Sequence, residues 1–315
     1  MRWWREVGEN EKKVIRCHFC KKIKEGVHLR SYNLRVCFDC FLNFFRKRVQ
    51  ETIEKFKMFN KEEKIAVAIS GGKDSVALAR VLKDLGYKIS LFHINTNIKE
   101  ENYAENSEKA VKEFAQRENL PLKIIKLEDE IGVDIKLASK ISKKEICGIC
   151  GMIKRYLLNR EAKDFDVIVT GHTLDDEAAS LLSSLIFWKE FVARQWPILN
   201  EKETLKRKAK PLSLVFEKNT ELFCQILNLP YNPQPCPLRG GTYIFFKNFI
   251  HSLEKAMPSS VLNFYKGFLR RKKQILWQDE DEKLEPCEKC GYLTVAKICS
   301  FCRLKEKIER WKNKS

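Results

Sequence analysis

Short continuous apolar runs alternate with longer segments of helical periodicity through the middle of the chain. The apolar runs are Ile65–Ile69, Ile89–Ile94, Leu122–Leu127 and Val167–Thr170. The segments with apolar residues at helical spacing lie near residues 76–85, 102–118, 147–161 and 174–188. A continuous apolar run is typical of a strand that is buried on both faces of a parallel sheet. Alternation of such strands with helices predicts a doubly wound α/β domain with right-handed crossovers.

A polar, glycine-containing loop follows the first predicted strand. It reads Ser70-Gly71-Gly72-Lys73-Asp74-Ser75 and leads into a predicted helix. A strand-to-helix turn directs backbone N–H groups and the helix dipole at one point, which is suited to binding an anion. A Walker A loop fits poorly, because no glycine lies six residues before Lys73 and Asp74 follows the lysine in place of Ser or Thr. The string is instead the signature of pyrophosphate-loop enzymes, which split ATP into AMP and pyrophosphate, so residues 70–75 are the predicted ATP-binding residues.

A second polar block follows the strand at Val167–Thr170. It reads Gly171-His172-Thr173-Leu174-Asp175-Asp176-Glu177. Because the carboxyl edge of such a sheet binds ligands, Gly171 and His172 are predicted to contact the nucleotide. Thr173 and Asp176 have the spacing of a helix capping box. Capping does not require two adjacent aspartates beside a phosphate loop, whereas Mg²⁺ coordination or proton transfer would use them.

The amino-acid composition and the distribution of charge indicate which kind of molecule the protein binds. The chain has 315 residues, 44% of them hydrophobic, and a net charge of +18, which indicates a globular protein of about two domains. Residues 1–60 carry +8 of this charge and residues 251–315 carry +6. Positive charge at both ends favours a polyanion such as nucleic acid, with a solvated lysine-rich surface as the alternative.

Ten of the 12 cysteines form five Cys-x-x-Cys pairs, and four of these pairs lie at the basic ends. They make up two sets of four, which are Cys17, Cys20, Cys37 and Cys40, then Cys287, Cys290, Cys299 and Cys302. Two knuckles of paired thiolates match tetrahedral zinc, and a metal would supply the core that these segments lack. A rubredoxin-like iron site and redox dithiols are the alternatives. After Cys40, apolar residues at helical spacing up to Phe56 predict a helix that joins the first module to the body.

The fifth pair, Cys147 and Cys150, precedes a predicted helix that contains Lys154 and Arg155, and Cys236 lies between two prolines. Three thiolates leave a metal centre with an open position. A [4Fe–4S] cluster held by three cysteines would keep one iron free for exogenous sulfur. A third zinc with an unidentified fourth ligand is one alternative, and a persulfide relay between Cys236 and another cysteine is a second.

Taken in order, these motifs resemble those of the TtuA-type tRNA 2-thiouridine synthetases and their archaeal and eukaryotic anticodon-uridine relatives. The resemblance extends from about Arg16 to Cys302 and rests on both four-cysteine modules, residues 70–75, the three-cysteine set, and Gly171–Glu177. The pyrophosphate loop alone would indicate only the superfamily. TtcA-like relatives that make 2-thiocytidine share the loop and cluster cysteines but typically lack both zinc modules.

The resemblance implies an ATP-dependent tRNA sulfurtransferase. In such enzymes the 2-oxygen of uridine attacks the α-phosphate of ATP, pyrophosphate leaves, and sulfur then displaces AMP. The implied catalytic residues are Lys154 and Asp176, which would stabilise charge on the base and assist proton transfer, with Asp74 or Asp176 holding Mg²⁺. The implied cofactors are ATP, Mg²⁺, one [4Fe–4S] cluster and two Zn²⁺ ions.

The resemblance also implies partners. The basic zinc modules would grip tRNA, helped by Lys206-Arg207-Lys208-Ala209-Lys210, for which a solvated loop is the alternative. A ubiquitin-like sulfur carrier protein and a homodimer are expected by family similarity. Two stretches depart from the family pattern, namely Leu238–Thr242 after Cys236 and Val215–Lys218, and they leave open a paralogue with another RNA target. A zinc- and RNA-binding protein without catalysis is the alternative of a different class.

The predicted organisation is a zinc finger and linker helix over residues 1–60, a catalytic domain over 61–275, and a zinc ribbon over 276–315. Residues 1–13 are charged throughout and lack the apolar core of a signal peptide. No apolar run approaches the roughly 20 residues that span a bilayer. We therefore expect a cytoplasmic protein with no membrane partner.

Overall fold

The computed structural model of the chain describes residues 13–188, 195–199, 205–271 and 284–313. Its N-terminal module is a three-stranded antiparallel sheet followed by a long helix. These elements are β1 (Lys13–Arg16), β2 (Ile23–Leu29), β3 (Leu34–Cys37) and α1 (Phe38–Lys55). The hairpin of β2 and β3 separates the first two cysteine pairs, and α1 is the predicted linker helix.

A six-stranded sheet forms the centre of the body. Its strands are β4 (Ile65–Ala68), β5 (Ile89–Asn95), β6 (Leu122–Lys126), β7 (Val167–Thr170), β8 (Ile198–Leu199) and β9 (Arg207–Ala209). Their order is β6-β5-β4-β7-β9-β8, and only β8 runs antiparallel to its neighbour. The four strands predicted from the apolar runs are confirmed, as is the doubly wound fold class. Strands β8 and β9 were not predicted, because they are short and β9 consists mostly of basic residues.

Helices cover both faces of this sheet. They are α2 (Lys73–Asp84), α3 (Tyr103–Glu118), α4 (Leu127–Ile131), α5 (Ile135–Ser142), α6 (Ile146–Glu161), α7 (Leu174–Ile186), α8 (Glu217–Ile226), α9 (Thr242–Ala256) and α10 (Ser260–Arg270). The four predicted helices correspond to α2, α3, α6 and α7. Helix α2 begins at Lys73, three residues before the predicted start, so Lys73, Asp74 and Ser75 form its first turn instead of a free loop.

Alternate residues of the central strands enter two separate cores. In β4, Ile65 and Val67 belong to the core that includes α1, α2 and α8, whereas Ala66 belongs to the core that includes α5 and α6. A third apolar cluster joins α7, α9 and α10 beside the sheet. Burial of the strands on both faces explains why they are continuous apolar runs in the sequence.

The C-terminal module packs directly against α6. Its elements are β10 (Glu285–Pro286), β11 (Leu293–Thr294) and α11 (Ser300–Lys312). The ring of Phe301 on α11 stacks on Tyr156 of α6 with a centroid separation of 3.9 Å. Cys287, Cys299 and Cys302 belong to the same apolar core as Ile153 of α6. Helix α6 is therefore held between the sheet and this module.

The N-terminal module packs against the opposite side of the body. Phe45 of α1 stacks on Phe223 of α8 at 4.3 Å, and Tyr32 meets Phe216 edge to face at 5.7 Å. Lys218 donates a hydrogen bond of 3.0 Å to Ser31. These contacts hold Phe216 and Lys218 against the N-terminal module, so they fix the position of the residue between them.

Within the described residues, no helix is both long and apolar enough to cross a membrane. The predicted domain boundary at residues 275 and 276 lies outside the described residues, as do residues 1–12.

Replacement of Phe301 by alanine tests whether the C-terminal module supports α6. Phe301 is 4% exposed and stacks on Tyr156. We expect Phe301→Ala to lower the free energy of unfolding by about 3–5 kcal/mol, because it removes a buried ring and leaves a cavity. Urea denaturation of the metal-loaded protein measures this. Val295→Ala in the same module is the control, since Val295 is 63% exposed and its truncation should change stability by less than about 0.5 kcal/mol. Equal effects of the two substitutions would contradict the packing role.

Candidate active site

The two predicted ligand-binding loops meet at one point of the sheet. Strand β4 pairs with β5 on one side and with β7 on the other, so the strand order reverses there. The loops that follow β4 and β7 leave in different directions and open a crevice at the carboxyl edge, where such sheets bind ligands.

The loop at residues 70–75 is fixed by its own side chains and by α3. Ser75 accepts a hydrogen bond from the Ser70 backbone N–H at 3.1 Å and donates one to the Gly72 carbonyl at 2.9 Å. Gly71 has a φ of +91°, and a Cβ atom there would lie 2.7 Å from the carbonyl oxygen of Ser107. Glycine is therefore required at this position both by conformation and by space.

The loop after β7 packs against the first turn of α2. A Cβ atom on Gly171 would lie 2.9 Å from the Ser75 nitrogen, so only glycine allows this approach. Thr173 and Asp176 form the predicted capping box, with the Thr173 N–H donating to Asp176 at 2.9 Å. His172 is exposed at the edge of the crevice, with Nδ1 at 2.8 Å from the Thr170 hydroxyl.

Asp176 is held in its ionised form by residues of α9. Its Oδ1 accepts hydrogen bonds from the Tyr243 hydroxyl at 2.5 Å and from Lys247 at 2.7 Å. Burial alone would raise the pKa of Asp176, but Lys247 lowers it to about 2. The carboxylate is therefore ionised at neutral pH and has no proton to donate.

The pKa of Asp74 is shifted in the opposite direction to that of Asp176, and Lys73 is its cationic neighbour. The Lys73 ammonium contacts Glu217 directly and lies 3.4 Å from Asp74. Although burial opposes the charged form of Lys73, Asp74 and Glu217 raise its pKa. Burial raises the pKa of Asp74 to about 7, with Lys73 acting against this shift and Glu217 adding to it. Two carboxyl groups with pKa values pushed apart are typical of a site that needs one acid and one ionised group.

Asp175 and Glu217 share a histidine. The Glu217 backbone N–H donates to Asp175 at 2.7 Å, and His251 Nε2 lies 3.3 Å from Asp175 and 3.6 Å from Glu217. Burial opposes the charged form of His251, but these two carboxylates raise its pKa to about 9. The imidazolium is therefore the expected form at neutral pH.

A cavity of about 90 Å³ adjoins the loop. Ser70, His93, Tyr103 and Lys154 are among its lining residues. Because His93 Nδ1 lies 2.9 Å from the Ile69 carbonyl, that nitrogen carries the proton. Nε2 of His93 is then a bare acceptor, and it is buried with no hydrogen-bond partner among the described residues.

Lys154 connects this cavity to the three-cysteine set. Burial lowers the pKa of Lys154, but the Cys150 thiol, Tyr103 and Cys236 more than offset this and raise it. The Cys147 thiol lies 3.8 Å from the carbonyl oxygen of Leu238, two residues beyond Cys236. The fold thus places Cys150 and Cys236 beside Lys154, which lines the same cavity as Ser70, and it places Cys147 beside Cys236.

The spacing of the cysteine sulfurs differs between the sites. Each four-cysteine set has all four sulfurs within 4.8 Å of one another. The Cys20–Cys37 and Cys290–Cys299 sulfur separations are 3.8 and 3.7 Å, and a tetrahedral zinc with bonds of about 2.3 Å requires about 3.8 Å. Among the described residues, Cys147, Cys150 and Cys236 do not form such a group, and their role as cluster ligands stays a prediction.

Backbone hydrogen bonds prepare the four-cysteine sets to bind a metal. Burial would raise the pKa of Cys17, but N–H groups of Cys37, Cys20 and Phe19 lower it to about 6. Cys287 behaves in the same way, with a pKa of about 6. A metal binds thiolates, so a thiol that ionises near neutral pH favours metal uptake.

The basic run at residues 206–210 differs from the solvated loop that was one of the two sequence-based interpretations. It contains β9, which is part of the central sheet, so it is not a solvated loop. Arg207 contacts Glu63, and Lys210 pairs with Glu177 at 2.6 Å. Two of its cations are thus engaged within the protein, and a role in gripping tRNA stays a prediction.

Four residues of the site were not identified from the sequence. They are Glu217, Tyr243, Lys247 and His251. Tyr243, Lys247 and His251 recur every four residues along α9, a spacing that places them on one face. That spacing was the available signal. Glu217 lies in the stretch that departs from the family pattern.

Both the sequence and the fold are similar to those of known proteins. A profile described as a PP-loop domain matches residues 43–191. The chain is 39% identical to a tRNA-5-methyluridine(54) 2-sulfurtransferase from Thermotoga maritima, over 96% of this chain and 99% of that protein. It is 35% identical to a protein of the same name from Pyrococcus horikoshii, over 92% of this chain and 93% of that protein.

A solved structure has a similar fold. It is the U34-tRNA thiolase NcsA from Methanococcus maripaludis with its [4Fe-4S] cluster, which matches with a TM-score of 0.78 and 25% identity. The match covers 92% of this chain and 95% of that chain. The similarity therefore includes the flanking modules as well as the PP-loop domain.

The raised pKa of His251 gives a testable pH dependence. A histidine with a pKa of about 9 in the folded protein, against an ordinary value of 6.5, stabilises the fold fully below pH 6.5. This contribution is lost as the pH rises through about 9. We expect the stability difference between wild type and His251→Asn, measured by urea denaturation without nucleotide, to shrink over that interval. A difference that is constant with pH would contradict the ion pairs with Asp175 and Glu217.

Proposed function

Since this chain belongs to the family of PP-loop tRNA 2-sulfurtransferases, we propose that it is an ATP-dependent enzyme that replaces the 2-oxygen of a tRNA uridine with sulfur. The names of the relatives and the coverage of nearly the whole chain support this proposal. The expected target is 5-methyluridine at position 54, after the two relatives named above, with uridine 34 as the alternative after NcsA.

One observation carries the proposal. Lys154 lines the same cavity as Ser70 of the nucleotide loop and lies next to Cys150 of the three-cysteine set. An activated base in this cavity would be within reach of both the nucleotide and the sulfur source. Adenylation of the 2-oxygen and transfer of sulfur to carbon 2 act in sequence on one carbonyl group of the base. The nucleotide and the sulfur source must therefore both lie close to it.

In the first proposed step, the loop holds ATP while the uridine 2-oxygen attacks its α-phosphate. The bond from the α-phosphorus to pyrophosphate breaks, and the adenylated base forms. The backbone amides of Gly71 and Gly72, with Lys73, Ser70 and Ser75, would stabilise the leaving pyrophosphate. Gly171 and His172 would border the nucleotide on the side of β7. Asp74 and ionised Asp176 are the proposed sites for Mg²⁺.

In the second proposed step, sulfur forms a bond to carbon 2 of the base and the bond from carbon 2 to oxygen breaks, so AMP leaves with that oxygen. A [4Fe–4S] cluster held by Cys147, Cys150 and Cys236 would supply this sulfur at the iron that lacks a protein ligand. Lys154 would stabilise the negative charge that develops on the base and on AMP. Because of its low pKa, Asp176 is ionised but only a weak base at neutral pH, so we assign it a role in binding Mg²⁺ rather than in proton transfer.

The proposal also covers the zinc ions, the macromolecular partners and the division into domains. Each four-cysteine set would bind one Zn²⁺ ion, which the sulfur separations of 3.8 and 3.7 Å support. The basic modules would contact tRNA phosphates. A ubiquitin-like sulfur carrier and a homodimer are proposed by family similarity, as is the division into domains at residues 1–60, 61–275 and 276–315.

The activity is tested by nucleoside mass analysis of tRNA from a strain that lacks this protein. We expect the 2-thio form of the target uridine to be absent, to return with the wild-type chain, and to stay absent with Lys73→Ala, which removes a cation from the phosphate site. Lys255→Ala, an exposed lysine of α9, should restore thiolation. Mapping to position 54 or 34 decides the target. Normal thiolation with Lys73→Ala would contradict the loop assignment, and unchanged nucleosides in the deletion strain would contradict the function.

The three-cysteine set is tested by colour and iron content. We expect the anaerobically purified protein to be brown, and Cys236→Ser to lose the iron and the colour while both zinc ions remain. Cys224→Ala is the control, because Cys224 is buried in α8 away from this set. A colourless wild-type enzyme that still thiolates tRNA would contradict the cluster and favour the persulfide relay.

A further inference from the structure

Helix α9 brings a second lysine to the carboxylate that holds Lys73. Glu217 Oε1 contacts the Lys73 ammonium, and its Oε2 lies 2.8 Å from the Lys247 ammonium. The two cations therefore flank a single carboxylate. Lys73 comes from the first turn of α2 and Lys247 from the middle of α9, so the packing of the body alone creates this arrangement.

The carboxylate between the two lysines is incompletely satisfied. Glu217 Oε2 is buried, and its only neighbours of opposite charge among the described residues are Lys247 at 2.8 Å and His251 at 3.6 Å. The side chains of Lys73, Glu217 and Lys247 are 21%, 20% and 16% exposed. A charged group that is buried to this extent is stable only when a group of opposite charge lies beside it.

A phosphate group offers anionic oxygens to the same donors as a carboxylate. Two ammonium groups directed at one position, beside the N-terminus of a helix, form a site for an anion with several charged oxygens. Pyrophosphate and the terminal phosphates of ATP fit this description. AMP does not, because it lacks the second and third phosphate groups.

We propose that Lys73 and Lys247 together form a two-lysine clamp for the pyrophosphate portion of ATP, and that Glu217 is the counter-ion between them in the nucleotide-free protein. This inference rests on the proposed function and adds to it a second phosphate-binding residue, Lys247. In the clamp, the phosphate oxygens take the place of Glu217 beside both lysines.

His251 can pair with the Glu217 carboxylate once phosphate has displaced it from the two lysines. His251 Nε2 lies 3.6 Å from Glu217 Oε2. The displaced carboxylate can pair with this imidazolium, so its charge is not left unpaired. Asp176 remains beside Lys247 at 2.7 Å and orients the lysine from the other side.

The test is calorimetric titration of the full-length protein with pyrophosphate, ATP and AMP, without Mg²⁺. Lys247→Gln is expected to weaken pyrophosphate and ATP binding by about ten- to a hundred-fold, the effect of losing one charged hydrogen-bonding group. AMP binding should change by less than about two-fold, and Lys247→Arg should recover most of the loss. Lys255→Gln on the same helix is the matched control and should bind all three ligands as wild type does.

A purely structural role of Lys247 would give a different result, because loss of the site's architecture would weaken AMP binding as much as ATP binding. That outcome overturns the clamp. If wild type and Lys247→Gln bind pyrophosphate equally while tRNA thiolation persists, the clamp is wrong and the proposed function stands. If wild-type protein binds no ATP, the proposed function fails together with the clamp.

Glu217→Gln provides a second test that does not depend on the folding of the lysine variant. Removal of the shared carboxylate should tighten pyrophosphate binding severalfold, since it no longer competes with phosphate for the two lysines, while Asp74 and Asp176 stay beside them. Weaker or unchanged binding by Glu217→Gln would show that Glu217 supports the site in another way, and would overturn its assignment as the exchangeable counter-ion.

Discussion

The reversal of strand order between β4 and β7 is the constraint on which the site depends. A parallel sheet brings the carboxyl ends of neighbouring strands to one edge, and the reversal leaves a crevice between the loops that follow them. Gly71 and Gly171 allow these loops to approach α3 and α2 more closely than any side chain would permit. The nucleotide loop, the aspartates of α7 and the cavity lined by Lys154 therefore occupy one place in the molecule.

Alternating charges order this crevice in the absence of ligand. Lysines and carboxylates of α2, α7, α8 and α9 alternate along one line of contacts. Each of these charged groups therefore has a neighbour of opposite charge. The network sets the protonation of the acids, since it lowers the pKa of Asp176 and leaves that of Asp74 near 7. A site of this kind can exchange its internal counter-ion for a phosphate without creating an unpaired charge.

The two four-cysteine modules support the site from opposite sides. The C-terminal module packs against α6, which carries Cys147, Cys150 and Lys154, whereas the N-terminal module contacts the residues on either side of Glu217. The modules thus contribute to the geometry of the centre as well as to the basic surface that is proposed for tRNA.

The sequence by itself determined the order of strands and helices, the nucleotide loop and the cysteine sets, because each depends on local features. Strands buried on both faces are continuous apolar runs, a loop that approaches phosphate needs glycine at Gly71, and paired cysteines have a spacing set by the metal. Only the tertiary structure decided that Lys247 and Tyr243 reach Asp176, about 70 residues away, and that β9 is a strand. The four-residue spacing on α9 marks a polar face, but the partner of that face is decided by the packing of α9 against α7. Strand β9 is likewise decided by its pairing with β7.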